Sequence, residues 1–172
     1  MAEFYKGEYV KYSNNGVCFI EDINTPDFDK KAGENAYYIL RPINDKSTTI
    51  FVPKANELLL SKMRRLLTKD EIDGLIFSIG DNEQIWIDDR KQRLDHFSEV
   101  LKRNDPLELL RTVGCIYLRK QQLESAGNNK KLSLSDLGVL EQAEKLIENE
   151  FSFVLGIPAS GVGVYIREKL GI

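Results

Sequence analysis

The chain has 172 residues, 42% of them hydrophobic and 30% charged, which suits one sizeable or two small globular domains and excludes a disordered or fibrous chain. Its formal net charge of -3 excludes a whole-chain basic signature, so any contact with nucleic acid has to be local. The two cysteines, Cys18 and Cys115, stand far apart in no CxxC or Cys/His spacing; this argues against a zinc site or a disulfide framework and fits a reducing cytoplasm.

Residues 4–53 read as β-structure. Tyr9 to Tyr12 is a short strand, and Ser13-Asn14-Asn15-Gly16 is a turn in which Asn and Gly tolerate positive φ. Val17 to Ile23 is a second strand, followed by a polar loop from Thr25 to Asn35. Ala36 to Leu40 and Thr48 to Val52 give a third and a fourth, with Pro53 ending the last. Short strands at near-regular spacing predict a small barrel. Lys54 to Leu60 adds a helical turn, and Lys62 to Leu67 a final strand. Such a small core is marginal by itself.

From Thr68 the pattern turns helical. Thr68 and Glu71 form a capping box for a helix through Ile72, Leu75, Ile76 and Ile79, which is expected to stop at Gly80, with Gly80-Asp81-Asn82 as a joint. Asp88 is the expected cap of the next helix, whose stripe is Leu94, Phe97 and Leu101. Asp105-Pro106 opens another, lined by Leu107, Leu110, Val113, Tyr117 and Leu118. Ser133 and Asp136 begin a long helix with Leu137, Leu140, Ile147, Phe151 and Val154 on one side, closed by Gly156. Pro158 starts a last, weaker helix. These stripes predict a helix-bundle core.

The stretch that points to function runs from Gln84 to Arg93. It contains the one tryptophan of the chain, Trp86, followed by Arg90, Lys91 and Arg93. Trp86 has two readings. One is a core tryptophan beside a solvated charged face, which these ten residues taken alone favour. The other is an indole at the mouth of a nucleic-acid groove, where cations meet phosphates and the ring stacks on or wedges against a base step. Local charge bears on the choice. Residues 84–131 carry ten Lys/Arg against seven Asp/Glu, whereas residues 132–172 carry three against six. The modest excess suits a helper that touches DNA better than a stand-alone tight binder.

Enzyme signatures are missing: there is no GxxxxGK[ST], GxSxG or HExxH. The single histidine, His96, has no triad partners facing it, and Asp88-Asp89 read as helix-start electrostatics. No enzyme activity, metal, cofactor or small-molecule substrate is expected. No apolar run approaches the ~18 residues of a membrane span, and no signal-peptide pattern opens the chain.

Several motifs occur together and in order. They are Phe4-x-x-Gly7-Glu8-x-Val10-x-Tyr12, Asn15-Gly16-Val17, Tyr37-Tyr38-Ile39-Leu40 and Thr49-Ile50-Phe51-Val52-Pro53 in the front half. Trp86 with its basic followers, Asp105, and Leu132-Ser133-x-x-Asp136-x-x-x-Leu140 follow in the back half. On these residues the sequence resembles the CarD/CdnL family of bacterial transcription regulators, and its front half also resembles the polymerase-interacting domain of transcription-repair coupling factors.

The resemblance implies an α+β chain: a Tudor/SH3-like β-barrel over residues 1–66, then an all-α domain over residues 67–172, with residues 67–82 as a linker helix. It implies that the barrel binds the RNA polymerase β subunit. The helical part then contacts promoter DNA at the upstream edge of the melted region, where the family tryptophan wedges into the minor groove and holds the bubble open. Trp86 matches that tryptophan and Lys91 a basic contact after it; charge and spacing add Arg90 and Arg93. A basic residue that some relatives carry at the start of the long helix is missing, and Lys130 and Lys131 stand in for it. On the polymerase side, Phe51 and Pro26 fall where family members carry arginines, and Thr49 adjoins Phe51. Strand alternation leaves Phe51 open between a polymerase contact and a core position. The alternative function is a protein–protein scaffold that never touches DNA, with Trp86 as its interface anchor.

Overall fold

The computed structural model describes residues 2–79 and 85–172. The helix stop at Gly80 and the Gly80-Asp81-Asn82 joint lie outside the described residues, as does Gln84. The chain divides into two compact units, Met1–Leu67 and Thr68–Ile172.

The first unit is a five-stranded antiparallel sheet made of β1 (Tyr9–Tyr12), β2 (Val17–Asn24), β3 (Tyr37–Pro42), β4 (Ile50–Pro53) and β5 (Met63–Arg65). A helical turn, α1 (Glu57–Leu60), precedes β5. The turn between β1 and β2 is the one its residues demand: Gly16 sits at φ 77°, which costs a residue without Cβ little. The left-handed partner is Ser13 rather than an asparagine.

The strand order is β4-β3-β2-β1-β5. The sheet is therefore open, with β4 and β5 at its two edges, and the expected barrel is corrected to a sheet that does not close. Closure needs long, strongly tilted strands that pair all the way round. Here the would-be closing strands are four and three residues long and pair only inward, with β3 and β1. A bulge between Ile20 and Asp22 sharpens the local twist of β2 against β3.

One face of the sheet is the core. Along β3 burial alternates, so that Tyr38, Leu40 and Pro42 point in. Tyr38 and Leu40 meet Val10, Tyr12, Cys18, Ile20, Val52, Met63 and Phe4, which is fixed edge-to-face on Tyr38. Burial pushes the Cys18 thiol up to about 11, consistent with an unreactive packing residue.

The second unit holds α2 (Lys69–Ile79), α3 (Arg90–Arg103), α4 (Pro106–Ser125), α5 (Leu134–Leu155) and α6 (Ala159–Leu170). Three of the expected helix starts form as local chemistry dictates. Glu71 N donates to Thr68 Oγ1 while Thr68 N donates to Glu71 Oε2. The carboxylate of Asp105 takes Glu108 N, with Pro106 in the first turn, and the Ser133 hydroxyl takes Asp136 N. At α3 the cap is Asp89, which accepts from Gln92 N, and not Asp88.

The helix faces differ in part from the sequence stripes. On α4 the buried side is Leu109, Leu110, Thr112, Cys115 and Ile116, so Leu110 of the stripe points in while Tyr117 and Leu118 are exposed. On α5 it is Val139, Leu140, Ala143, Ile147 and Phe151, with Leu137 exposed. α2 packs on α4 and α6 with Ile72 and Ile76 fully buried in the core of this unit. It is locked there by Asp73, which accepts from the Tyr165 hydroxyl at 2.5 Å and from Lys169 Nζ at 2.9 Å. Among the described residues, no helix is long and apolar enough to cross a membrane.

Candidate functional site

In the helical unit the site is built around one buried cation. Arg93 lies on the first turn of α3 and is only 6% exposed. Its Nε and Nη2 donate to the two carboxylate oxygens of Asp136 at 2.9 and 3.0 Å. Its Nη1 donates to the carbonyls of Ile87 and Asp88 at 2.9 and 3.1 Å. The planar guanidinium fork fits this task, since it binds a carboxylate with two parallel hydrogen bonds and keeps donors for the backbone. Asp136 is buried on the first turn of α5, where its carboxylate also accepts from Ser133 Oγ at 2.6 Å. Burial pushes the Asp136 pKa up, but the bonds from Arg93 and Ser133 outweigh it and hold the carboxyl below its ordinary range.

This network fixes Trp86. The Arg93 guanidinium stands 4.4 Å from the centre of the indole, and that of Arg119 on α4 stands 5.5 Å from it. The ring meets Phe97 edge-to-face at 6.4 Å between centroids and packs on a core that includes Phe97, Ile116, Val139 and Leu140. Trp86 is half-buried. It is thus both a packed residue and a presented one, and it sits against the α3 stripe.

The expected surface cations divide. Arg90 is exposed, and its Nη2 donates to Ser135 Oγ on the first turn of α5 at 3.1 Å. Lys130 and Lys131 are exposed just ahead of that turn, and Lys91 is exposed next to Arg90 on α3. Arg93 departs from expectation: it is an interior residue, because a charge one turn into α3 faces the start of α5 and finds Asp136 there. Arg119 escaped the sequence reading. It lies thirty-three positions from Trp86, and nothing local links the two.

In the sheet unit Phe51 lies on the edge strand β4, with Phe28 from the loop after β2 against it. Phe51 is 38% exposed, on the opposite face to the buried Val52. The ring of Phe28, 66% exposed, meets Phe51 edge-to-face at 5.1 Å and Tyr37 at 5.9 Å. The Tyr37 hydroxyl is anchored on Asp29 at 2.6 Å. Pro26 is half-buried ahead of the 3-10 turn Asp27–Ala32 that carries Phe28, and Thr49 is exposed just before β4. The core reading of Phe51 is thereby excluded. Phe28 was missed by sequence reasoning, because a phenylalanine in a polar loop carries no period to mark it.

Residues 4–66 match the family model described as the CarD-like/TRCF RID domain. The sheet unit is thus similar to that domain family. The family implies interaction with RNA polymerase and a transcription-related role. The match leaves the helical unit uncovered. No curated protein matches the chain.

Proposed function

We propose that this protein is a non-enzymatic transcription regulator that binds the RNA polymerase β subunit through its sheet unit. Through its helical unit it contacts promoter DNA at the upstream edge of the bubble. Binding is the whole mechanism. The sheet unit tethers the chain to polymerase, and tethering raises the local concentration of a weak DNA-binding face. Trp86, backed by Arg93 and Phe97, is the wedge; Arg90, Lys91, Lys130 and Lys131 meet phosphates. Arg93 takes a supporting place behind the ring instead of a phosphate. Open complexes are stabilised if the wedge binds melted, kinked DNA better than closed duplex.

The observation that carries the reading is the family match of residues 4–66. The half-exposed indole held among guanidinium groups supports the DNA half. The exposed Phe28–Phe51 pair supports an apolar polymerase contact, because clustered exposed aromatics mark interaction surfaces. The test is co-purification of bacterial RNA polymerase with the full chain, together with open-complex lifetime on a promoter. Wild type retains polymerase and lengthens the lifetime; Trp86→Ala retains polymerase and does not. A chain that fails to retain polymerase refutes the tether. Equal lifetimes with wild type and Trp86→Ala refute the wedge and favour a scaffold.

A further inference from the structure

A hollow opens in the helical unit between the end of α4 and the start of α5, with a volume of about 580 Å³. That size lies within the ~300–1,000 Å³ of ordinary small-ligand sites. Leu123, Leu132, Leu134 and Leu137 make it apolar, and Lys120, Lys130 and Lys131 line it together with Glu124 and Asn129. Leu134 is 87% exposed at the first position of α5, although leucine has no local reason to face water there. The hollow adjoins the surroundings of Trp86. Leu132 lines it and also packs on the core against which Trp86 rests. Lys120 lines it, and the preceding residue, Arg119, stands over the indole.

We propose that this hollow receives one unstacked base of the melted promoter strand. The inference rests on the function proposed above and names the ligand of that face. A strand opened by the Trp86 wedge has bases that are no longer paired or stacked, and an apolar recess is where such a base regains contact. The leucines take its two faces. The Asn129 amide and the Glu124 carboxylate offer a donor and acceptors to its edge. Three ammonium groups against one carboxylate give the rim the sign that the flanking phosphates require. A protein segment would use the leucines equally well, but the lysine excess favours a polyanion.

The test uses the full chain with RNA polymerase on premelted promoter DNA. 2-Aminopurine, or an abasic site, is placed at one position after another around the upstream fork. Leu134→Asp is the main variant. An acid at this exposed first position suits the helix dipole, so α5 keeps its start while the hollow loses its apolar face. The expected result is one position whose fluorescence changes with wild type and not with Leu134→Asp. At that position an abasic site weakens wild-type binding by about tenfold, the order of one lost base contact, and leaves the variant unchanged. Lys130→Ala/Lys131→Ala lowers affinity on intact and abasic DNA alike.

Equal binding of intact and abasic DNA by wild type at every position overturns the inference. If Trp86→Ala still shortens the open-complex lifetime in that case, the proposed function stands without the hollow. If Leu134→Asp reduces polymerase retention instead, the occupant is a protein segment and the inference again falls. Absence of any DNA-dependent effect, Trp86→Ala included, removes both the hollow and the DNA half of the proposed function.

Discussion

Replacing Arg93 by alanine should be among the most damaging single changes to the helical unit. The Asp136 side chain that would lose its partner is 2% exposed. It would keep the Ser133 hydroxyl, while the carbonyls of Ile87 and Asp88 would lose a donor. Breaking one half of a buried ion pair typically costs about 3–5 kcal/mol, because the remaining charge stays buried without compensation. The exposed Lys145–Glu141 pair, whose charges solvent screens, serves as the control. Against a total stability of roughly 5–15 kcal/mol, the loss at Arg93 is a large fraction.

Urea unfolding followed by far-UV circular dichroism reads this directly. At a slope of ~2 kcal/mol per molar, the midpoint should fall by about 1.5–2.5 M. Arg93→Met combined with Asp136→Leu, which removes both charges and keeps the volume, should recover most of the loss. The pH dependence supplies an independent check. The Asp136 carboxyl is held below its ordinary range, so the pair contributes stability above the unfolded pKa. That contribution is lost as pH falls through the depressed folded value. In Arg93→Ala a protonated Asp136 no longer carries a buried charge, so the gap between variant and wild type should narrow in acid. A loss below about 1 kcal/mol at neutral pH, or a gap that widens in acid, would refute the assignment of Arg93–Asp136 as the buried organiser of this unit.

The other expectations concern exposed groups and local caps. Trp86→Ala should shorten open-complex lifetime several-fold to a hundredfold, corresponding to a lost contact of ~1–3 kcal/mol, with polymerase retention unchanged. Phe28→Ala and Phe51→Ala should each weaken polymerase retention by an amount on the order of tenfold. Their urea midpoints should hold near wild type, since both rings face solvent. Asp73 is kept below the usual carboxylate range first by the Tyr165 hydroxyl and then by Lys169. Its share of stability is therefore present at neutral pH and lost as pH falls through the lowered value, and Asp73→Asn should flatten that part of a urea-midpoint-versus-pH curve. Ser133→Ala should cost ~1 kcal/mol or somewhat more in the same unfolding assay, because it removes the α5 cap and a bond to Asp136.

What the sequence determined by itself is what neighbours in the chain decide. The capping box at Thr68 and Glu71, the Asp105-Pro106 start and the Ser133 cap all form between residues three apart, whatever the rest of the molecule does. Strand β1 and the glycine turn after it are equally local. The family likeness of the front half rests on such signals in order, which is why residues 4–66 were recognisable. The tertiary structure decided everything that depends on which surface a segment meets. The barrel stays an open sheet because its two edge strands are too short to find each other, a fact that no single strand encodes. Apolar residues lie around much of α4, so periodicity alone does not choose between Ile116 and Tyr117 as the inward residue; contact with α5 does. Arg93 reads as one more member of a cation run until α5 brings Asp136 against it. The same packing gives Trp86 a core to rest on and the guanidinium of Arg119 as a neighbour, leaving part of its ring exposed. Phe51 shows the converse, since a strand at the sheet edge has one face without a covering layer, and only the register of β4 on β3 turns its ring to that side.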